Sequence, residues 1–464
     1  MKSNPIAVKK ASTYYLIGTV FNKGISFITV PIFTRILSVS DYGVVTTYNS
    51  WVSIVSVFAS LAIYMGVRAS FIDYEDKVED FLSVITVFTL LYGGFLAGLV
   101  ITAAYILPIS VNIVLVVMCM VQSVADAVIE NISMFFMMKY RYKVRTVIMV
   151  LPGILGTVIS IIFIRFVLDK NLYLGRIVPN ALVTIFLGMT MAVYALRQSP
   201  VRFNGKYLRF ALRISIPLVL HAIALNILSQ SDRTMITYFR SSTETGIYGL
   251  VYNFSMIAMV FTTGLDGVWV PFFTQKMKQE DYASINVYSK KYIKLMTVII
   301  SGVVLLAPEV LKFLATKEYW EGIDVIPPIV LANYFIFLYT FYVNVEHYHK
   351  KTLFISLNTV LAAIVNIVLN CFFIRIYGYT GAAYTTIVSY ILSLILHSLY
   401  AHTLNKKLFP FRQMIMPIWV LSVIVLLFYA FAGIWYVRWL IAFTMAAYVV
   451  LMEKDAIIFV IKRG

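Results

Sequence analysis

Charge is what this sequence has least of: 13% of its 464 residues are charged, against 61% that are hydrophobic. A water-soluble domain keeps roughly a quarter of its residues charged, so a fold whose surface mostly faces water is excluded. Cysteine is almost absent, and Cys119 and Cys371 both sit inside apolar runs, which rules out a disulfide framework and a cysteine metal centre. There is no Gly-rich phosphate loop, no metal-ligand spacing and no nucleophile motif. The longest connecting stretch, about 308–324, holds Glu309, Glu318, Glu321 and Asp324 but no catalytic constellation. An enzyme, a cofactor and a metal are therefore not expected.

What is present is long and apolar. Residues 42–67, 81–125, 177–196, 325–345, 352–374 and 413–437 contain no Asp, Glu, Lys or Arg. A helix needs about 20 apolar residues to cross a ~30 Å hydrocarbon core. The 81–125 run suffices for two passes, with Pro108 at the turn between them. Lys2, Lys9 and Lys10 precede an apolar run from Tyr14 to Leu37, too long for a signal-peptide core and without a cleavage site, so a retained first span is expected. The pattern predicts spans near 13–36, 43–67, 81–106, 110–136, 147–168, 173–196, 213–238, 246–274, 288–307, 325–346, 352–374, 379–404, 413–432 and 435–453. The expected class is an all-α integral membrane protein of about 14 transmembrane helices.

The formal charge of +17 would suggest nucleic acid in a soluble chain, but its distribution points elsewhere. With loops assigned alternately to two sides, 27 of the 38 basic residues fall on the side of both termini. Positively charged loops stay cytoplasmic, so both termini are expected there. No nucleic-acid partner is needed, since basic residues beside a membrane are attracted to acidic headgroups by about 1 kcal/mol each.

The chain also repeats itself. Ser38-Val-Ser-Asp41-Tyr-Gly43 follows the first span and Ser241-Ser-Thr-Glu244-Thr-Gly246 follows the seventh, an offset of 203 residues. Ser40 or Thr243 is expected to cap the following helix, with the acid in its positively polarised first turn. The offset is even in spans, so the halves share one orientation, as parallel repeats about an axis along the membrane normal do.

The stretch Phe21-Asn-Lys23 to Pro31-Ile-Phe-Thr34-Arg35 and on to Asp41-Tyr-Gly43 resembles the opening of polysaccharide-unit flippases. These are the O-antigen and capsule translocases of the multidrug/oligosaccharidyl-lipid/polysaccharide exporter superfamily. Asp232-Arg233-Thr-Met-Ile236 with Glu244-Thr-Gly246-Ile-Tyr248 resembles the start of that family's second lobe, and Gly378-Tyr-Thr-Gly381-Ala-Ala383 its turn into the twelfth span. The resemblance implies two pseudo-symmetric six-helix lobes, 1–205 and 206–405, plus two C-terminal helices, 406–464. It implies alternating access in a bacterial inner (plasma) membrane. The implied cargo is a polyprenyl-diphosphate-linked glycan moved to the outer leaflet, with membrane lipid as surroundings and polysaccharide polymerase machinery as a partner.

Charged groups inside spans are costly and are functional candidates for that reason. Lys23, about nine residues into the first span, lies ~13 Å deep at ~1.5 Å per residue; it faces a cavity and the diphosphate, or snorkels to the interface. His221 in the seventh span contributes charge or coupling if protonated, or is a hydrogen-bonded packing residue. Arg35 and Arg233 receive the diphosphate, pair with Asp41 and Asp232 as a gate, or anchor the interface. Asp126 and Glu130 share a face at i and i+4, placed to pair with Lys23, to bind a coupling cation or to serve structure. Asp266 and Glu346-His347 are similar cases. Two cargoes remain beside the first: the drugs of a multidrug and toxin exporter, and a peptidoglycan precursor. A cationic rather than acidic first span favours an anionic cargo.

Overall fold

Apolar helices of membrane length account for most of the described residues. The computed structural model describes residues 27–107, 112–199 and 204–452, with the side chains of 257–258, 264–267 and 452 excepted. Every regular element among these residues is helical. Eleven helices are long and apolar enough to cross a membrane, and Phe27–Ile36 and Trp435–Leu451 are shorter apolar ones. One of the eleven, Thr352–Leu404, is 53 residues long and bends at Gly378. Counted as two passes, it brings the described helices to the expected fourteen.

The chain divides into two compact units, Met1–Thr237 and Tyr238–Gly464. In the first, α1 is Phe27–Ile36, α2 Val39–Ser60, α3 Tyr64–Asp73 and α4 Val78–Ile106. Then come α5 Ile113–Met138, α6 Tyr142–Phe166, α7 Leu172–Gln198 and α8 Gly205–Phe239. The expected second span is broken: Leu61 and Ala62 take left-handed backbone (φ 45° and 49°) between α2 and α3. Neither residue is a glycine or proline; at the break Ser60 Oγ accepts the Ala62 N–H at 3.2 Å. The turn proposed at Pro108 lies outside the described residues.

Lipid tails are as apolar as leucine, so close packing rather than water exclusion joins such helices. The first unit's core gathers at its basic end, where Phe81, Leu82 and Ile85 of α4 meet Val128, Ile132 and Phe135 of α5 and Tyr207 and Ala211 of α8. Tyr74 stands against Tyr207 and Phe210 with ring centroids 4.9 and 5.1 Å apart, edge-on contacts worth about 0.5–1.5 kcal/mol each beyond area burial.

The second unit contains α9 Ser242–Lys278, α10 Tyr282–Leu314, α11 Ile326–Tyr348, α12 Thr352–Leu404, α13 Phe411–Ala430 and α14 Trp435–Met452. The expected connection from 308 is shorter than it looked. Pro308 is buried within α10, and Lys317–Val325 forms a 3-10 turn rather than a loop. Membrane helices carry internal prolines because neighbouring groups satisfy the freed carbonyl. Trp269, Phe341 and Phe409 form an aromatic knot, the first two 4.9 Å apart. Arg438, 1% exposed, ties α14 to α10 through an ion pair with Glu309, whose other oxygen accepts Trp439 Nε1–H at 3.2 Å.

Candidate functional site

The two repeat turns have the same construction. The cap of α2 is Ser38 and that of α9 is Ser241, not Ser40 or Thr243 as the sequence suggested: Ser38 Oγ accepts the Asp41 N–H at 3.0 Å, and Ser241 Oγ the Glu244 N–H at 3.1 Å. The acid three residues after the serine makes this a capping-box spacing, which decides the register. Each carboxylate then reaches a distant helix. Asp41 Oδ1 accepts the backbone N–H of Tyr173, in the first turn of α7, at 3.4 Å. Glu244 Oε2 accepts that of Tyr379, just past the Gly378 bend of α12, at 3.1 Å. Helix N-termini offer unpaired N–H groups and partial positive charge, so in both units the second helix of a repeat is clasped to its sixth.

Arg35 Nη1 donates to the Pro31 carbonyl at 2.7 Å. A cation absent from the sequence candidates lies beside that clasp. Arg176 of α7 stacks over the Phe33 ring at 4.1 Å, with Nη1 3.3 Å from Thr157 Oγ1.

Asp126 and Glu130 lie on one face of α5 together with Gln122, one turn earlier. Gln122 is buried and accepts the Tyr48 hydroxyl of α2 at 2.8 Å, whereas Asp126 is half-buried and Glu130 exposed. Neither acid forms a hydrogen bond or ion pair with a described residue. Lys23, their expected partner, lies outside the described residues.

Next to this stripe α2 and α8 face each other through a seam of uncharged polar groups. Thr47 meets Thr237 at 2.6 Å, Ser50 donates to Gln230 at 3.4 Å and Ser53 to Asn226 at 3.0 Å. On α2 the three rungs fall at 47, 50 and 53, a helical stripe, and they descend α8 in reverse order, as antiparallel neighbours must. The same helix α8 buries Asp232 completely and leaves Arg233 6% exposed, with Arg233 Nη1 donating to the Ser229 carbonyl at 2.6 Å. His221, lower on α8, is half-buried. Asp266 belongs to α9, and its side chain lies outside the described residues.

In the second unit Glu346 is fully buried and is joined not by its neighbour His347 but by His397 of α12. The His397 Nδ1 lies 2.9 and 3.0 Å from the two carboxylate oxygens, with Tyr339 stacked on the imidazole at 5.4 Å. Above the pair α12 is polar on its inner side: Asn358 Nδ2 donates to the Ser393 carbonyl at 3.3 Å, and Asn370 accepts from Thr385. Thr385, Ser389, Ser393 and His397 recur every fourth residue, a periodicity visible in the sequence and overlooked because none but His397 is ionisable. The Tyr173-Leu-Gly175 and Tyr379-Thr-Gly381 pattern was likewise legible, at an offset of 206 residues.

A family model described as "Polysaccharide biosynthesis protein" matches residues 8–277, more than half of the chain. The "Lsg locus putative protein 1" of Haemophilus influenzae is 20% identical over 375 residues, covering 77% of this chain and 89% of its own length. Among solved structures, the lipid II flippase MurJ in an inward closed conformation superposes with a TM-score of 0.68 at 14% identity, over 95% of this chain and 99% of that one. An inward-facing multidrug resistance MATE transporter gives 0.63 at 12% identity, over 85% and 99%. At such identities the two structures establish a shared fold, that of multi-span membrane transporters.

Proposed function

The chain belongs to the polysaccharide biosynthesis protein family, and from that premise we propose that it flips polyprenyl-diphosphate-linked oligosaccharide repeat units from the cytoplasmic to the outer leaflet. It is a multi-pass membrane protein with a transporter fold. In this reading it sits in a bacterial plasma membrane with both termini cytoplasmic, works by alternating access between lobes 1–205 and 206–405, and hands its product to polysaccharide polymerase machinery.

The observation that carries the proposal is the seam of α2 and α8. Thr47, Ser50, Ser53, Asn226, Gln230 and Thr237 place hydroxyls and amides, bonded to one another, on helices otherwise built for hydrocarbon, and in this reading they exchange those bonds for sugar hydroxyls. Sugars need that chemistry, because a buried hydroxyl without a partner costs about 1–3 kcal/mol. A drug-like cation needs far less of it. Lys23, Arg35, His221 and Arg233 are assigned to the diphosphate; Asp41, Asp126, Glu130, Asp232 and Asp266 to gating or coupling. MurJ, a lipid II flippase, shares the fold.

The test is a lipid extract from a strain lacking the gene, analysed by mass spectrometry beside its surface glycan. Accumulated polyprenyl-diphosphate oligosaccharide with lost surface polysaccharide is expected. Normal lipids and glycan with altered drug sensitivity would move the assignment to a multidrug exporter, and accumulated peptidoglycan precursor would replace the cargo.

A further inference from the structure

The second unit has a cleft that the transport reading leaves unused. It lies between α10, α13 and α14, has a volume of about 810 Å³, and is walled by Val298, Met416, Val420 and Met445 among others. That volume falls within the ~300–1,000 Å³ of small-ligand sites.

Its charges lie at one end. Lys290 and Lys294, one turn apart on α10, and Arg412, in the first turn of α13, line the mouth. Among the described residues that line the cleft there is no carboxylate. Lys290 and Arg412 are exposed, and Lys294 rests 4.8 Å above the Tyr448 ring. The N-terminus of α13, capped by Pro410 without a side-chain hydrogen bond, adds partial positive charge at the same place. Deeper in, the polar groups are already satisfied. Thr297 Oγ1 bonds the Ile293 carbonyl and the Tyr334 hydroxyl at 2.7 and 2.8 Å, and Thr444 Oγ1 bonds the Leu440 carbonyl at 2.8 Å. The depth of the cleft is therefore apolar in effect.

The helix pair is fastened around this opening. Gln413 Nε2 donates to Ser289 Oγ at 2.6 Å beside the mouth, and Arg438 with Glu309 closes the far end. A basic rim over an apolar slot is complementary to one kind of occupant, an anionic headgroup with chains below it. From Lys290 to Thr297 the slot descends seven residues, ~10 Å at ~1.5 Å per residue. That depth takes the upper acyl chains of a lipid in one leaflet and is far short of a long polyprenyl chain.

We propose that this cleft is a binding site for an anionic glycerophospholipid of the bilayer, held by its phosphate on Lys290 and Arg412. The lipid fills the gap between the C-terminal helix pair and α10. The proposal stands apart from the cargo assignment.

Native mass spectrometry of the full-length protein in detergent tests it, with phosphatidylglycerol, phosphatidylethanolamine and a polyprenyl monophosphate added in turn. Phosphatidylglycerol adducts should persist on the wild type, exceed those of phosphatidylethanolamine, and weaken at least about tenfold in K290Q/R412Q. Val420→Trp keeps the cations and fills the slot, and should also displace the lipid; K290R/R412K should retain it and serves if the neutral variant does not fold. Equal phosphatidylglycerol binding by wild type, K290Q/R412Q and V420W would overturn the site. Preference for the polyprenyl phosphate at equal concentration would overturn the choice of occupant.

Discussion

Glu244 Oε2 accepts the Tyr379 N–H at 3.1 Å, while Glu244 Oε1 holds Arg240 Nε at 2.9 Å. The residue before Tyr379 is Gly378, at φ 60° and ψ −143°, and a Cβ built there would lie 2.2 Å from Glu244 Oε2. The clasp and the bend thus specify each other: the backbone turns sharply enough to present its N–H only where there is no side chain, and the carboxylate occupies the vacant space. In the first unit the clasp of Asp41 on Tyr173 needs no such residue, because α6 and α7 are separate helices with Asn171, at φ 53°, capping the second.

Gly378→Ala should therefore be among the most damaging single-methyl changes in the chain. Strained φ and a collision act together, and a loss of roughly 1–3 kcal/mol is expected, read as a lower midpoint of thermal unfolding in detergent. Adding Glu244→Ala relieves the collision and leaves the strain, so the double variant should recover part of the loss. Full recovery would show that the backbone at 378 is not strained.

The Glu346–His397 pair predicts a strongly non-additive cycle. With Glu346 at 0% and His397 at 2% exposure, removing one partner strands the other away from water, which costs about 3–5 kcal/mol in buried pairs, whereas apolar replacement of both is often near neutral. Glu346→Leu and His397→Leu should each destabilise severely and E346L/H397L far less. Denaturant unfolding of the four proteins measures the coupling, and simple additivity would mean that the two groups do not depend on each other.

Transport should separate the uncharged seam from the charged residues. Asn226→Ala removes a partner of Ser53, and at about 1 kcal/mol per hydrogen bond surface glycan synthesis should slow roughly fivefold with normal protein in the membrane. Asp126→Asn and Glu130→Gln should lower it further if these acids gate or couple transport, and Lys23→Ala should abolish it. Complementation of the deletion strain, with protein level measured by immunoblot, reads all four. Wild-type glycan with Lys23→Ala would remove that residue from the mechanism.

Most of the helices could be read from the sequence because hydrocarbon imposes a length and forbids charge, and few soluble signals are as strong. The bend at Gly378 was legible as the gap between spans 352–374 and 379–404. The break at Leu61 and Ala62 was not, since two apolar residues carry no preference for left-handed backbone and the serine beside them is one of many in the spans. For the site, ionisable residues drew attention because burying charge is costly. The partners that fix them are mostly uncharged and far away in sequence: Tyr173 for Asp41 and Tyr379 for Glu244. His397, 51 residues from Glu346, was missed because nothing in the sequence links two groups on different helices, whereas the adjacent His347 points some 100° away from Glu346.

The turn between α9 and α10 gives a pH prediction outside the spans. Asp281 caps α10, accepting the Ser284 N–H at 3.1 Å, and pairs with Lys276 at 2.6 Å. The Lys276 bond first, then those from Ser284, hold its carboxyl down to about 2, against about 3.9 for an ordinary aspartate. A carboxyl depressed in the folded state stabilises it above the ordinary value, and that contribution fades as pH falls toward 2. Asp281→Asn should therefore unfold at a lower temperature than the wild type at pH 7, and the gap should narrow between about pH 4 and pH 2. Because the pair is partly exposed, added salt should shrink the same gap at neutral pH. A gap that is constant across that acid range would assign the effect of the substitution to the helix cap alone and exclude the ionised carboxylate as its source.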